Sequence, residues 1–187
     1  MRLFAFIFLA FSSSCQYYNG KLPVVEQVAD TLKPLQVEAV ASKQETPTQK
    51  ITTANTTPEE ILTFAKSLIG TPYRHGSTDP VNGFDCSGFI TYVFNHFNIT
   101  VPRSSIEFTA YATPVAQSQA KAGDLILFTG TDSTERFIGH MGLVLNNDKG
   151  VIQFIHSSSG KAYSVTISPL DKYYMGRFLK IIRIFSR

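Results

Sequence analysis

The sequence predicts an α+β domain in which helices come first and an antiparallel β-sheet follows. Three observations carry that prediction. Capped helical patterns stand at residues 57–70 and 87–97, short β-rich segments take over from Lys121 onward, and Asn146 to Gly150 supplies a hairpin turn between two of them. The size agrees, because 187 residues with 43% hydrophobic and 17% charged side chains suffice for one packed core with short appendages.

The chain opens with Arg2 before an apolar run from Leu3 to Phe11, then small residues Ser12 to Ser14, then Cys15. That order reads as an export signal over residues 1–14, and the apolar run is too short to span a bilayer. From Tyr18 to Phe64 no aromatic residue intervenes, and Pro23, Pro34, Pro47 and Pro58 punctuate Thr-, Gln-, Ala- and Val-rich stretches. Residues 15–56 therefore read as a tether, with a weak apolar face at Val24, Val28, Leu32 and Leu35 that Pro34 interrupts.

At Thr57 the signals sharpen: a capping hydroxyl, Pro58 in the first turn, Glu59 and Glu60 behind it, an apolar stripe at Ile61, Phe64, Ala65 and Leu68, and Gly70 as terminator. The domain proper spans 57–187. Gly70 to Gly83 reads as a loop, and Ser87 to Phe97 as a helix burying Phe89, Ile90, Val93 and Phe94. A short helix is expected after Pro102, with Ser104 or Ser105 as its cap. Strands are expected at Asp124 to Thr129, His140 to Leu145, Val151 to His156 and Phe178 to Phe185. The polar connection from Thr131 to Gly139 bends at the surface and borders the site.

Charge and cysteine usage exclude several classes. Seventeen Lys plus Arg against fourteen Asp plus Glu give +3, scattered without a basic stripe, so no nucleic-acid partner is called for. The two cysteines, Cys15 and Cys86, sit in unlike contexts, which supports neither a disulfide framework nor a multi-cysteine zinc site.

Cys86 lies between Asp85 and Ser87-Gly88, where a loop turns into an apolar helix. A helix N-terminus stabilises thiolate, and its free N–H groups can hold an oxyanion. A buried structural cysteine is the competing reading of that residue alone. A thiol nucleophile also needs an imidazole base and a group that orients it. Of the four histidines, His75 lies in the loop, and His96 sits on the Cys86 helix as a partly buried or boundary residue. His140 opens one strand and His156 closes the next, so a hairpin can join them. Zinc on Cys86, His140 and His156 is chemically possible, but no motif supplies a fourth ligand.

The segments Asp85-Cys86-Ser87-Gly88-Phe89, Gly139-His140-Met141-Gly142-Leu143-Val144 and Phe154-Ile155-His156-Ser157 together resemble the NlpC/P60 family of cysteine peptidases. Pro72-Tyr73, Gly76, Pro102-Arg103-Ser104 and Gly123 to Phe128 extend the likeness over residues 57–187. The resemblance implies a papain-like fold, with Cys86 as nucleophile, His140 as general base and His156 as its orienting partner. It implies no metal and no cofactor. It also implies peptidoglycan stem peptides as substrate, cut at a γ-D-glutamyl bond to a diamino acid. A weak cell-wall-binding module and a thiol-dependent acyltransferase on the same fold are the alternatives.

Further residues follow from the same likeness. Tyr73 either assists the oxyanion or packs the loop. Asp85 caps the loop locally or recognises a substrate amine, capping being preferred, and Ser87 beside it is a substrate-binding candidate. Arg103 and Ser104 either contact substrate carboxylates or brace a loop. Asp124 is read as stabilising the turn into its strand, not as a catalytic acid. The leader and Cys15 resemble a bacterial lipoprotein signal, which implies lipidation of Cys15 and a membrane partner through that anchor, in the periplasm or at the outer membrane. A cleaved secretion signal with Cys15 incidental is the other reading.

Overall fold

Helix α1 (Pro58–Ser67) begins where its cap residues stand: the Thr57 hydroxyl accepts from the Glu60 N–H, and the Glu60 carboxylate accepts from the Thr57 N–H at 2.8 Å. It buries Ile61, Leu62 and Ala65, while Phe64 and Leu68 are half-buried. This computed structural model describes residues 50–185; the leader, Cys15 and the tether up to residue 49 lie outside the described residues. Within the last stretch read as tether, Ile51 is buried and joins the core.

The loop after α1 contains a small hairpin, β1 (Thr78–Asp79) against β2 (Gly83–Phe84), and leads into α2 (Cys86–His96). Asp85 caps α2, its carboxylate accepting from the Gly88 N–H at 2.6 Å. A Cβ at Gly88 would collide with the Ser77 carbonyl, so only glycine lets that loop lie on the helix start. Phe89, Ile90, Val93 and Phe94 are fully buried, as their spacing predicts. His96 departs from expectation: it is exposed and stacks flat on Phe64, with ring centres 3.7 Å apart.

The helix expected after Pro102 is a single 3₁₀ turn, Glu107–Ala110. Ser104 does not cap it through its own hydroxyl oxygen; its N–H and hydroxyl both donate to the Glu107 carboxylate, at 3.1 and 2.7 Å. Ile106 faces solvent, so the segment has too little apolar surface to sustain a longer helix.

The sheet is built from β3 (Thr113–Val115), β4 (Leu125–Thr129), β5 (Ile138–Asp148), β6 (Val151–Ser157), β7 (Val165–Pro169) and, after the short helix α3 (Lys172–Arg177), β8 (Phe178–Arg183). Its order is β3-β8-β4-β5-β6-β7, antiparallel throughout. The β5–β6 turn uses Lys149 and Gly150, both at positive φ, which matches strand twist. Asp124 stabilises the entry to β4, accepting from the Lys121 N–H at 2.8 Å and pairing with Arg183 at 2.7 Å.

Both faces of the central strands are covered, which explains the unbroken apolar run Leu125 to Phe128. Leu125, Leu127, Met141, Leu143, Ile155 and Ile182 pack with the α1–α2 layer. Ile126, Phe128, Val144, Ile152, Phe154 and Ile181 form a second cluster with half-buried Tyr174 and Phe178. Each fully buried side chain of this size contributes about 1.5–3 kcal/mol relative to exposure. The two layers fix α2 against the strands that carry the histidines.

Candidate active site

Cys86 is the first residue of α2 and is half-buried. Its S–H donates to the Gly139 carbonyl at 3.9 Å, and the backbone N–H groups of Ser87, Met141 and Cys86 itself favour the thiolate. The sulfur therefore meets β5 at the two residues that flank His140. Burial, followed by the Asp85 charge, outweighs those N–H groups and pushes the thiol pKa up.

His140 is buried on β5, opposite Phe128 of β4. Its Nε2 lies 2.8 Å from Nδ1 of His156, and His156 Nε2 lies 3.0 Å from Ser168 Oγ on β7 and 3.4 Å from the Tyr174 hydroxyl. The structure thus joins the two imidazoles, as the hairpin expected from sequence allows, and fixes their register. Gly142 makes room for that approach, because a Cβ there would stand 2.8 Å from Phe154 and 2.9 Å from the Ile155 carbonyl.

Burial comes first, then the His156 and Arg177 charges, in holding His140 well below the ordinary imidazole range. Burial and then Arg177 lower His156 to about 3. Both rings are neutral at pH 7, and so is the thiol. With His140 Nε2 engaged by His156, His140 Nδ1 is the nitrogen left to act on Cys86. That role needs Nε2 of His140 to carry the proton donated to His156, whose own Nε2–H then donates to Ser168. In the resting geometry the thiol's hydrogen bond is to Gly139 and not to the His140 ring.

Tyr73 stands beside this centre, paired through its backbone with Phe84 and packed at 5.4 Å on the Tyr163 ring. Burial, then Cys86, Asp85 and Tyr163, raise its phenol pKa, which places the hydroxyl within electrostatic reach of the sulfur. Asp85 is buried and fully engaged: besides Gly88 it meets Ser87 Oγ at 3.2 Å and Arg103 through two bonds at 2.6 and 3.0 Å. Burial opposes the Asp85 charge, but Arg103, Gly88 and Ser87 together hold its pKa low. Arg103 also reaches Ser87 Oγ at 2.9 Å, so this arginine braces the start of α2. Ser104 is held by Glu107. Asp85, Ser87 and Arg103 form one cluster, and Ser104 stands outside it.

A cavity of about 680 Å³ opens beside His140, bounded by the 158–162 loop, β7 and α3. Sequence reasoning missed Ser168, Tyr174 and Arg177 here. No motif marks them; the alternation of Val165 to Ser168 is a strand signal that could have found β7, which is not among the expected strands. No three of His, Cys, Asp and Glu cluster as a metal site among the described residues.

A thiol at a helix start, set against a strand whose histidine is oriented by a second histidine, defines a papain-type thiol–imidazole centre on an α+β scaffold. The NlpC/P60 family model matches residues 70–183, and the chain belongs to that family. It is 33% identical over 135 residues to the gamma-DL-glutamyl hydrolase of Bacillus subtilis (strain 168), covering 72% of this chain and 32% of that protein. It is 37% identical over 110 residues to the probable endopeptidase NlpC homolog of Haemophilus influenzae, covering 58% and 52%. The solved peptidoglycan hydrolase RipB of Mycobacterium tuberculosis superposes with a TM-score of 0.54 at 31% identity, over 70% of this chain and 65% of that one. The chain spans about a third to a half of the length of the curated relatives it matches.

Proposed function

We propose that this chain is an exported cysteine endopeptidase that hydrolyses peptidoglycan stem peptides at a γ-D-glutamyl bond to a diamino acid. The observation that carries the reading is Cys86 at the start of α2 against β5, whose His140 pairs with His156 of β6. The chain's relatives, a gamma-DL-glutamyl hydrolase and a peptidoglycan hydrolase among them, support the bond and substrate class. Lipidation of Cys15 would hold the domain at a membrane surface, with residues 16–49 as reach.

Neutral resting groups make proton transfer part of the attack. His140 Nδ1 takes the Cys86 proton as sulfur bonds to the scissile carbonyl carbon, and the resulting oxyanion accepts from N–H groups at the start of α2. The Tyr73 hydroxyl can donate to the same oxygen. The C–N bond then breaks, and the His140 imidazolium gives its proton to the leaving amine. Water, deprotonated by His140, attacks the thioester and releases the acid and the thiol. His156 holds His140 in the competent tautomer throughout, and Asp85 with Arg103 fixes the helix start.

Mass spectrometry of stem peptides incubated with the full chain and with its Cys86→Ala form tests the reading. Cleavage at the γ-D-glutamyl bond that vanishes in the variant is expected; intact peptides with folded wild-type protein would shift the assignment to a binding module or an acyltransferase. Acyl mass on the membrane-extracted protein tests Cys15 separately.

A further inference from the structure

Arg177, at the end of α3, is more than nine-tenths buried and has no carboxylate partner among the described residues. It donates to the Thr129 carbonyl and the Tyr173 hydroxyl, both at 3.0 Å, and lies 5.4 and 5.9 Å from the Tyr173 and Tyr174 ring centres. Its Nε is buried without any partner. Neutral oxygens and ring faces offset a buried guanidinium less than a carboxylate does. The cation is therefore poised to take up an anion.

The cavity beside His140 is where that anion would enter. Arg177 and Lys161 line it, no Asp or Glu does, and hydroxyls of Ser168 and Tyr173 complete a polar wall. Its position also says which end of a substrate it receives. His140 lines it and Cys86 does not. The acyl portion of a substrate becomes bonded to Cys86, whereas the leaving amine must lie where His140 can protonate it. The cavity thus takes the amine side of the scissile bond.

We propose that this cavity is a subsite for the leaving amino component, and that Arg177, assisted by Lys161, selects amino components bearing a free carboxylate. The inference rests on the peptidase reading and deepens it. A charge-assisted hydrogen bond from a desolvated guanidinium amounts to about a tenfold to hundredfold preference. Arg177 already lowers the pKa of both His140 and His156, so its charge is felt at the reacting groups.

The test compares one stem tripeptide, alanyl-γ-D-glutamyl-diaminopimelate, with the same peptide amidated only at the diaminopimelate carboxylates. Full-length protein is expected to cleave the free form with kcat/KM about tenfold to a hundredfold higher. Arg177→Gln should lower kcat/KM at least tenfold more for the free form than for the amide, and Lys161→Gln, at an exposed site, should remove a smaller share. Equal rates on the two peptides with the wild-type protein would overturn the proposal, as would Arg177→Gln depressing both alike. If Arg177→Gln does not fold, the wild-type preference and its partial reduction in Lys161→Gln decide, and a wild-type protein without the preference overturns the proposal. If wild-type protein cleaves neither peptide, the peptidase reading fails first, and calorimetric titration with free diaminopimelate and its diamide judges the subsite alone. Binding of the acid over the diamide then supports it, and equal or absent binding overturns it.

Discussion

Lowering the pH from 7 to 5 is expected to destabilise the folded domain by about 2 kcal/mol through His156 alone. The sign follows from its depressed pKa: below the ordinary value of 6.5 the unfolded chain binds a proton that the folded ring, at about 3, refuses. The stability is fully present above 6.5 and is lost as the pH falls toward 3. At pH 5 the unfolded ring lies about 1.5 units below its midpoint, and at about 1.36 kcal/mol per unit the loss is about 2 kcal/mol. The size hardly depends on the folded value, because at pH 5 a ring with a pKa of 3 or of 4 is still neutral. His140 is shifted the same way and adds to the loss. For a domain of this length the effect is a fall of about 5–10 °C in Tm. Thermal unfolding at pH 5 and 7, for wild type and His156→Gln, measures it. A Tm that stays level over this range, or a wild-type slope that His156→Gln fully retains, would refute the argument that burial keeps the ring neutral.

Two other substitutions probe how the centre is held. Gly142→Ala should cost about 1–3 kcal/mol in urea unfolding and reduce cleavage at least tenfold, since its Cβ would press on Phe154 and the Ile155 carbonyl beside His156. Unchanged cleavage would show that the two histidines do not depend on that close approach. Asp85→Asn removes a charge that raises the Cys86 pKa while leaving Arg103 nearby, so alkylation of Cys86 by iodoacetamide at pH 7 should accelerate severalfold even as stability falls by about 1–3 kcal/mol. Slower alkylation would mean that the carboxylate acts on the thiol chiefly by positioning it.

The helices were legible because their termini carry strong local chemistry: Thr57, Pro58 and Glu60 close a capping box, and Asp85 caps α2 as preferred from sequence. Strands β4, β5, β6 and β8 were legible from apolar runs, and the histidine pairing from their place on adjoining strands. What escaped notice was short or at an edge. β3 is three residues with Pro114 in it, tolerable only at the sheet margin where it lies. α3 has six residues, too few to show a helical period, although Asp171 caps it through the Tyr174 N–H. β7 ends in Pro169 and alternates between buried and open positions over five residues. Those last two elements carry Ser168, Tyr174 and Arg177, so the far wall of the site was invisible for the same reason. Arg103 was read as either a substrate contact or a brace, and only its twofold grip on Asp85 separates the two.

The β5–β6 hairpin makes the catalytic centre a sequential assembly. Its two imidazoles meet across 16 residues of chain, whereas the thiol reaches β5 across 53. A chain that has formed only its local hairpins holds a paired base with nothing to deprotonate, and an undocked Cys86 that no imidazole attends. Completion of the tertiary fold is then what brings the thiol to the imidazole pair, so a partly folded chain stays chemically silent at this centre until the α2 start has docked on β5.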